Sequence, residues 1–334
     1  MAEKRQKLIL DVDTGSDDAI ALMLAVLSGR FDLPGVSVCW GNRPVEACAR
    51  NTLQVLEWIG AGDIPVYAGC PEPMVRNLLP WRSIPNRVGV VEDGVEYTIH
   101  PRTMPVPAAV GEVQPQHAVS WMVETLLASD EPVTLVGVAP PTNLGMAFRM
   151  EPRIREHVRE VVFMGGAVDR GNVTAVAEAN FFHDPEAAKI VLDSGVPVTC
   201  VTLNATHSAE FTLAEADEME ALGTRAGALA AALIRLRAEA SRRLGWSDGK
   251  TEAIHDALAV AFALDRSVLT DVRRQKCNID ISGGFADGML IADHRCEDDA
   301  SVSTWVSYRA DSAKYHRLVL DALRRGPRGT LSGE

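Results

Sequence analysis

The sequence predicts an α/β protein with a mostly parallel central sheet that is flanked by helices and ends in a small antiparallel extension. Short apolar runs rich in Val, Ile and Leu alternate with longer segments of helical spacing, which is typical of βα units around a sheet buried on both faces. The pattern changes near residue 276, where β-like runs follow one another without a helix between them. We therefore expect βα repeats first and the antiparallel extension last.

The individual elements follow from this alternation in chain order. One helix start is well marked, because Asp184 suits an N-cap, Pro185 suits the first helical position and Gly195 supplies a stop. The stretch 70–114 contains seven prolines and predicts loops and short strands over the sheet. The predicted strands lie near 7–13, 36–40, 65–68, 133–138, 160–164 and 197–203, with later β-like runs at 276–281, 288–292 and 302–309. The predicted helices lie near 17–29, 44–59, 115–129, 184–194, 213–222, 225–244, 255–264 and 311–325.

Length, charge and cysteine usage limit the possible classes of protein. The 334 residues fit one layered domain, 1–334, with a frayed tail at 325–334. A net charge of −12 argues against nucleic acid and membrane surfaces as partners, since both are bound through clustered Lys and Arg. The apolar stretch at 8–10 is too short for a signal peptide or a membrane span, and the six cysteines form no CxxC pair. We expect a reduced, cytoplasmic protein.

The most informative segment is 8–22, which predicts a buried strand, a tight turn at Gly15 and a helix. Four carboxylates converge there, and the two on the strand point to the same side because of the two-residue strand period. The carboxyl ends of parallel strands are where open α/β sheets bind ligands. Since the donors are all hard oxygen atoms, Ca²⁺ or Mg²⁺ is the expected ion. The four acids are Asp11, Asp13, Asp17 and Asp18.

Other interpretations of this segment explain less of it. Helix capping accounts for Ser16 and two of the acids, but not for a pair of acids that ends an apolar strand. An EF-hand is excluded, because Ser16 stands where its loop needs glycine and Leu22 where it needs Glu. A Mg²⁺-dependent phosphatase of the haloacid-dehalogenase-like class stays open as an alternative. That class continues its Asp-x-Asp with Gly-Thr, whereas this chain has Thr14-Gly15, and its Gly-Asp-x-x-x-Asp motif is not found downstream.

Further motifs follow in order along the chain. The pattern Asp-x-Asp-x-Gly-x-Asp-Asp at 11–18 resembles the N-terminal signature of the nucleoside hydrolases, and the resemblance extends over about residues 7–265. It implies the Rossmann-like nucleoside hydrolase fold and cleavage of ribonucleosides to ribose and free base. The other matching segments are 40–42, 139–144, 164–166, 171–188 and 255–261.

The resemblance also implies a site. A calcium ion would be held by the carboxylates of Asp13, Asp18 and Asp256 and by the backbone carbonyl of Thr142, with a water on the ion as nucleophile and Asp13 as its base. The water would attack the anomeric carbon through a ribosyl cation. The implied substrate-binding residues are Asp17 and Asn180 for the 2′- and 3′-hydroxyls, Asn172 and Glu178 for the 5′-hydroxyl, Asn42 near the metal, and Met164.

The leaving-group side is less closely matched. His255 is the implied acid that protonates the departing base. Many relatives carry a His-Gly pair on the loop after the third strand, where this chain has 84–86, Ile-Pro-Asn, so a non-catalytic nucleoside-binding relative stays open as a second alternative. The stretches 76–90 and 235–250 are expected to set base specificity, with purine or mixed specificity favoured, and a homo-oligomer, dimer or tetramer, is expected from the family. The candidate base-pocket residues are Trp81, Arg243 and Trp246, beside Arg76, Arg82 and Arg242 in the same stretches.

Overall fold

The computed structural model describes residues 5–82, 88–297 and 299–331. Its strands are β1 Gln6–Val12, β2 Phe31–Asp32, β3 Val36–Val38, β4 Val66–Ala68, β5 Gly89–Glu92, β6 Val95–Thr98, β7 Val133–Gly137, β8 Val158–Met164, β9 Val198–Val201, β10 Phe211–Thr212, β11 Thr251–Glu252, β12 Leu269–Arg274, β13 Lys276–Ile279, β14 Leu290–Asp293 and β15 Thr304–Ala310. Its helices are α1 Ser16–Leu27, α2 Val45–Trp58, α3 Ala118–Ala128, α4 Thr142–Met150, α5 Ala179–His183, α6 Pro185–Leu192, α7 Leu203–His207, α8 Leu213–Glu220, α9 Arg225–Leu244, α10 His255–Leu264 and α11 Ser312–Leu323.

A large central sheet organises the chain. Within the described residues nine strands form it, in the order β12-β15-β9-β8-β7-β1-β3-β4, and β2 pairs with β1. Neighbouring strands are parallel except for β12 and β15. The predicted fold class is therefore confirmed.

The sheet is buried on both faces, as its continuous apolar strands predict. Along β1, Leu8 and Leu10 belong to one apolar cluster, while Ile9 belongs to the cluster on the opposite face. The chain moves from β1 to β3 on one side and later to β7 on the other, so the carboxyl end of β1 lies at a change of direction in the strand order. This is the position where open parallel sheets form a ligand crevice.

The last part of the chain differs from the expected extension. Strands β13 and β14 do form a small antiparallel sheet, but β15 joins the central sheet, parallel to β9. Strand β12, which the sequence pattern does not show, pairs antiparallel with β15 at the sheet edge. The cause is burial, because Val306 of β15 is fully buried in the core against β9. Only part of the C-terminal region is therefore an extension.

Helix α4 was not predicted, because two prolines precede it and a glycine interrupts its apolar pattern. Pro141 is its N-cap residue. Gly145 faces α6 so closely that a Cβ there would lie 2.9 Å from the Cβ of Ala187. The glycine that weakens the helical pattern thus permits the close packing of α4 on α6.

Residues near the end of the described chain contact the body of the protein, and the fraying expected from residue 325 stays a prediction. Arg325 donates to the carbonyl of Ser28, and the carbonyl of Pro327 accepts from the backbone N–H of Arg225 at 2.8 Å. Within the described residues, no helix has both the length and the apolar character needed to cross a bilayer. All six cysteines are free thiols.

Candidate functional site

The first acid of the strand end, Asp11, has a structural environment. Its Oδ1 accepts hydrogen bonds from Ser37 Oγ at 2.5 Å and from Asn143 Nδ2 at 2.8 Å. Burial raises its pKa to about 7, although these two hydrogen bonds favour the charged form. Asp11 therefore ties β1 to β3 and α4.

Asp13 and Asp18 meet around the turn between β1 and α1. Asp18 caps its own helix, since its carboxylate accepts from the backbone N–H groups of Asp13 at 3.0 Å and Gly15 at 2.9 Å. Asn42 joins the two acids: its backbone N–H donates to Asp13 Oδ2 at 2.6 Å, and its Nδ2 donates to Asp18 Oδ2 at 3.1 Å. A Cβ at position 41 would lie 2.1 Å from Asp13 Oδ2, so Gly41 is needed for this close approach.

A cluster of buried carboxylates completes this end of the sheet. One oxygen from each of Asp17, Asp18 and Asp256 lies within 4.8 Å of the others, and Asp256 comes from the first turn of α10. Burial and the neighbouring acids raise the pKa of Asp13 and Asp256 well above the usual range and that of Asp18 to about 6. Close buried carboxylates of one sign are costly, and a bound cation relieves that cost. The donor set, all hard oxygen atoms, fits Ca²⁺ or Mg²⁺.

Asp17 differs from the other acids because it is paired with cations. Its Oδ1 accepts from Arg237 Nη1 at 3.0 Å, and His100 Nδ1 lies 3.7 Å away. Burial alone raises the pKa of Asp17, but Arg237, His100 and His255 together outweigh burial and hold that pKa below its usual value. Asp17 is thus the cluster member that stays ionised most readily.

His255 opens α10 beside the cluster and is half-buried. Its Nδ1 is hydrogen-bonded to Thr206 Oγ1 at 2.7 Å, and the edge of the His207 ring lies against it, with centroids 5.3 Å apart. Burial, His207 and Arg237 lower the pKa of His255 well below its usual value. The Thr206 contact fixes the ring and leaves Nε2 as the nitrogen for a ligand.

The predicted sugar-binding acid Glu178 is the N-cap of α5. Its carboxylate accepts from the backbone N–H groups of Asn180 at 2.7 Å, Gly166 at 2.9 Å and Phe181 at 3.2 Å. Burial raises its pKa to about 7 in spite of these bonds. Glu178 therefore orders the segment that carries Asn180.

Asn180 is held at the ends of two strands. Its Nδ2 donates to the carbonyls of Val138 at 2.9 Å and Met164 at 3.0 Å, so its Oδ1 is the atom left to accept from a ligand. Asn172 is exposed, and its Oδ1 accepts from the backbone N–H of Ala179 at 3.0 Å. These contacts place Met164 and Asn180 at the carboxyl edge of the sheet and Asn172 on the loop above α5.

Thr142 lies at the first turn of α4 and is buried. Its hydroxyl donates to Asp184 Oδ2 at 2.8 Å and accepts from Trp40 Nε1 at 3.0 Å. The side chain therefore fixes the start of α4 against α6 and the loop after β3. The predicted ligand atom of Thr142 is its backbone carbonyl, which takes no part in these bonds.

The candidate base-pocket residues do not share one environment. Trp81 and Trp246 are 73% and 51% exposed. Arg243 is bound to Glu239 at 2.6 Å and to Glu92, and its guanidinium lies 3.8 Å from the ring centroid of Tyr97 in the β5–β6 hairpin. Arg242 also pairs with Glu239. The 84–86 loop lies outside the described residues.

Arg76 and Arg82, which the sequence places in a stretch expected to set base specificity, are buried in an ion-pair network. Arg76 contacts Asp287 at 2.7 Å, and Arg82 contacts Asp287 at 2.7 Å and Glu186 at 2.5 Å. Arg76 also covers the ring of Phe182 at 3.8 Å. These guanidinium groups join the loop at 76–82 to the β13–β14 segment and α6.

Asp287→Ala is expected to lower the free energy of unfolding by about 3–5 kcal/mol, since it leaves two buried guanidinium groups without their shared carboxylate. Chemical denaturation of the purified variant measures this loss. Asp321→Ala, which removes the partner of the exposed Arg324, is the control and is expected to cost less than about 1 kcal/mol. Equal stability of the two variants contradicts the structural role of Asp287.

Two site residues were missed by the sequence analysis. His100 is buried beside Asp17 and accepts from the backbone N–H of Ser16 at 3.4 Å, and burial lowers its pKa to about 3. It is the single histidine of the stretch 70–114, which was the available signal. Arg237 lies on α9 and reaches Asp17 across the site, and its position within an arginine-rich helix gave no comparable signal.

Known proteins match this chain along nearly its whole length. The family model described as inosine-uridine preferring nucleoside hydrolase matches residues 8–317. The inosine-uridine preferring nucleoside hydrolase of Leishmania major is 34% identical over 322 residues, which cover 96% of this chain and 98% of that protein. The pyrimidine-specific ribonucleoside hydrolase RihA of Escherichia coli is 32% identical over 320 residues, with 95% and 98% covered.

A solved structure, the purine-preferring ribonucleoside hydrolase from Gardnerella vaginalis, superposes with a TM-score of 0.83 at 26% identity and covers 96% of this chain and 98% of that one. The plant nucleoside hydrolase PpNRh1, at 23% identity and a TM-score of 0.81, shows the same fold. The sequence and structural matches thus agree over the segment that carries the acid cluster, Asn180 and His255. The chain belongs to the nucleoside hydrolase family and is an enzyme that hydrolyses the N-glycosidic bond of ribonucleosides.

Proposed function

We propose that this enzyme is a Ca²⁺-dependent N-ribosyl hydrolase of purine or mixed specificity, which converts a ribonucleoside and water to ribose and free base. The observation that carries the proposal is the cluster of buried carboxylates at the carboxyl end of β1, with Asn180 and His255 at the same edge of the sheet. The phosphatase alternative is wrong, since nucleoside hydrolases match residues 8–317 and 96% of the chain.

The proposed calcium ligands are the carboxylates of Asp13, Asp18 and Asp256 and the backbone carbonyl of Thr142. Asn42 donates hydrogen bonds to both Asp13 and Asp18, and one carboxylate oxygen of Asp256 lies within 4.8 Å of one of Asp18. When bound, the ion supplies a positive centre that orients the sugar and makes a nearby water more acidic. Oxygen donors of this kind are what calcium prefers in proteins.

Asp13 is the proposed general base. Its Oδ2 is fixed by the backbone N–H of Asn42, so the carboxylate has one orientation in which to take the proton of the attacking water. As that water approaches the anomeric carbon, the bond to the base lengthens and positive charge develops on the ribose. Asp17 and Asn180 hold the 2′- and 3′-hydroxyls and stabilise that charge, and Nδ2 of Asn180 is already bound to the carbonyls of Val138 and Met164.

The 5′ end of the sugar is assigned to Asn172 and Glu178. Glu178 already accepts three backbone N–H groups, so its main contribution is to order the loop and the start of α5 around the ribose. Met164 contributes its backbone position at the end of β8, where its carbonyl holds Asn180.

His255 is the proposed acid for the departing base. In the protonated imidazole, Nδ1–H donates to Thr206 Oγ1, whose own hydroxyl donates to the carbonyl of Leu203 at 3.2 Å, and Nε2–H is left for the base. Because burial lowers the pKa of His255, the imidazolium gives up this proton readily once the base nitrogen becomes basic.

Ribose release from a panel of purine and pyrimidine ribonucleosides, measured with and without a chelator, tests the proposal. We expect ribose release that falls with chelation and returns with added Ca²⁺, and no phosphate release from p-nitrophenyl phosphate. The similar proteins include one named as purine-preferring, one named as inosine-uridine preferring and one named as pyrimidine-specific, which supports a mixed range of bases. Ribose release that is unaffected by the chelator would contradict the proposed Ca²⁺ dependence.

We also propose a cytoplasmic location and a homo-oligomer, a dimer or tetramer. The six free cysteines support a reducing compartment. Analytical ultracentrifugation of the purified protein tests the assembly, and a monomer at micromolar concentration would contradict it.

A further inference from the structure

A buried arginine reaches the acid cluster from α9. The side chain of Arg237 is 5% exposed. Its Nη1 donates to Asp17 Oδ1 at 3.0 Å and to Ser16 Oγ at 2.9 Å, and its Nη2 donates to the carbonyl of Ala253 at 3.2 Å. The guanidinium therefore joins the first turn of α1 to the segment that leads into His255.

Several elements fix this guanidinium in place. Its Nε lies 3.8 Å from the carboxylate of Glu252, which is also buried. Ser16 Oγ in turn donates to the carbonyl of Ile99 at 2.6 Å, so the contact extends to the segment that carries His100. A planar guanidinium bound on several edges holds its carboxylate partner in one orientation.

The ion pair with Arg237 distinguishes Asp17 from the other acids of the cluster. By distance alone Asp17 belongs with Asp18 and Asp256, since one oxygen of each lies within 4.8 Å of the others. In the parts of the chain that the structure describes, no Lys or Arg side chain donates to Asp18 or Asp256, whereas Asp17 is paired with Arg237. A carboxylate whose charge is matched by a buried cation attracts a divalent ion less strongly than an unpaired one.

We propose that Arg237 is a positioning residue that keeps Asp17 out of the metal-ligand set and presents its Oδ2 to a hydroxyl of the ribose. The inference rests on the proposed function, which it deepens by explaining why neighbouring acids of one cluster bind different groups. It assigns the metal to the unpaired acids and the sugar to the paired one.

Calcium binding provides the first test, with isothermal titration calorimetry on the whole protein. Arg237→Gln removes a positive charge near the ion and frees Asp17 as a ligand, so Ca²⁺ should bind about 10-fold more tightly. Arg235→Gln is the matched control, because Arg235 lies on the same helix but pairs with Asp217 and Glu220 on the surface, and its Ca²⁺ affinity should match the wild type. A role of Arg237 in folding alone predicts weaker or unchanged binding.

Substrate kinetics provide the second test. Arg237→Gln should raise KM for ribonucleosides by about 10- to 100-fold, the value of one charged hydrogen bond, with a smaller change in kcat. For the deoxynucleoside that lacks the hydroxyl held by Asp17, either the 2′-deoxy or the 3′-deoxy compound, the same substitution should raise KM far less. Arg237→Lys keeps the positive charge but lacks the planar guanidinium with its several donors, so its KM should lie between those of the wild type and Arg237→Gln. Equal losses for the ribonucleoside and both deoxynucleosides overturn the inference.

The double variant Arg237→Gln with Asp17→Asn keeps the test decisive if the single variant does not fold, since both charges of the buried pair are removed together. It should bind Ca²⁺ within about 3-fold of the wild type, because the net charge is unchanged and Asp17 is not a ligand. A loss of 10-fold or more would show Asp17 to be a ligand and overturn the inference. If the wild type cleaves no nucleoside, the proposed function fails, and these calcium affinities alone decide the role of Arg237.

Discussion

Turnover of ribonucleosides by the Asp13→Asn variant is expected to fall by at least ~10²–10⁴-fold while nucleoside binding largely persists. The amide keeps an oxygen for the backbone N–H of Asn42 and for a metal ion, but it cannot accept the proton of the attacking water. Rates of ribose release, together with nucleoside binding by calorimetry at saturating Ca²⁺, separate the loss of a base from the loss of the site.

The chain offers a matched control for this change on the same strand. Asp11→Asn makes the same substitution at a buried acid whose Oδ1 is bound by Ser37 and Asn143, and an amide oxygen still accepts both hydrogen bonds. Its turnover should stay within about 3-fold of the wild type, since the bonded oxygen of Asp11 is held by β3 and α4 and Asp11 has no proposed role in the reaction. Normal turnover by Asp13→Asn would show that another group accepts the proton.

The strand-end acids were predictable because position alone determines their surroundings. The carboxyl end of a buried parallel strand lies at the ligand crevice, and Asp13 takes this position directly after β1, between β3 and β7. Asp11, two residues earlier, is bound instead by Ser37 and Asn143. The downstream motifs were predictable for the same reason, since each follows a strand or opens a helix. The two-residue period of strands and the helical spacing of apolar residues were sufficient to predict where these residues lie in the fold.

The pairing of the arginines was not predictable, because it depends on contacts that are distant in sequence. Arg235 and Arg237 are two residues apart on α9, yet one is exposed beside Glu220 and the other is buried against Asp17. Arg76 and Arg82 meet Asp287, more than 200 residues further along the chain. Only the packing of α9 and of the β13–β14 segment on the sheet decides which guanidinium faces the site.

His100 shows a different limit of the sequence analysis. Where many relatives carry a His-Gly pair, this chain has Ile-Pro-Asn at 84–86, and the sequence analysis named no other histidine of the stretch 70–114 as a candidate. The structure places His100, which follows β6, beside Gly15 and Asp17. A Cβ at Gly15 would lie 2.1 Å from its Nδ1, so the turn after β1 leaves room for this ring. His100 lies within the long proline-containing stretch 70–114, where no motif of fixed spacing points to it.

Replacement of His255 by Ala is expected to slow cleavage of natural nucleosides by ~10²–10⁴-fold, because their leaving bases need a proton. The same substitution should slow cleavage of p-nitrophenyl riboside far less, because the leaving group of that substrate departs as a stable anion. Asn180→Ala removes a contact to the sugar instead, so it should slow both substrates alike. Steady-state kcat/KM for the two substrates on the two variants gives a distinct pattern for each role.

His207→Ala serves as the control for the leaving-group test, since His207 packs edge-on against His255 but is half exposed and pairs with Glu210. Loss of this neighbour removes a group that lowers the pKa of His255, so the protonated fraction of His255 should rise and activity on natural nucleosides should persist at higher pH. Equal losses on both substrates in His255→Ala would show that His255 supports the sugar or the fold. The proton for the base would then come from His100, which lies beside Asp17, or from solvent, and a His100→Ala variant compared on the same two substrates distinguishes these sources.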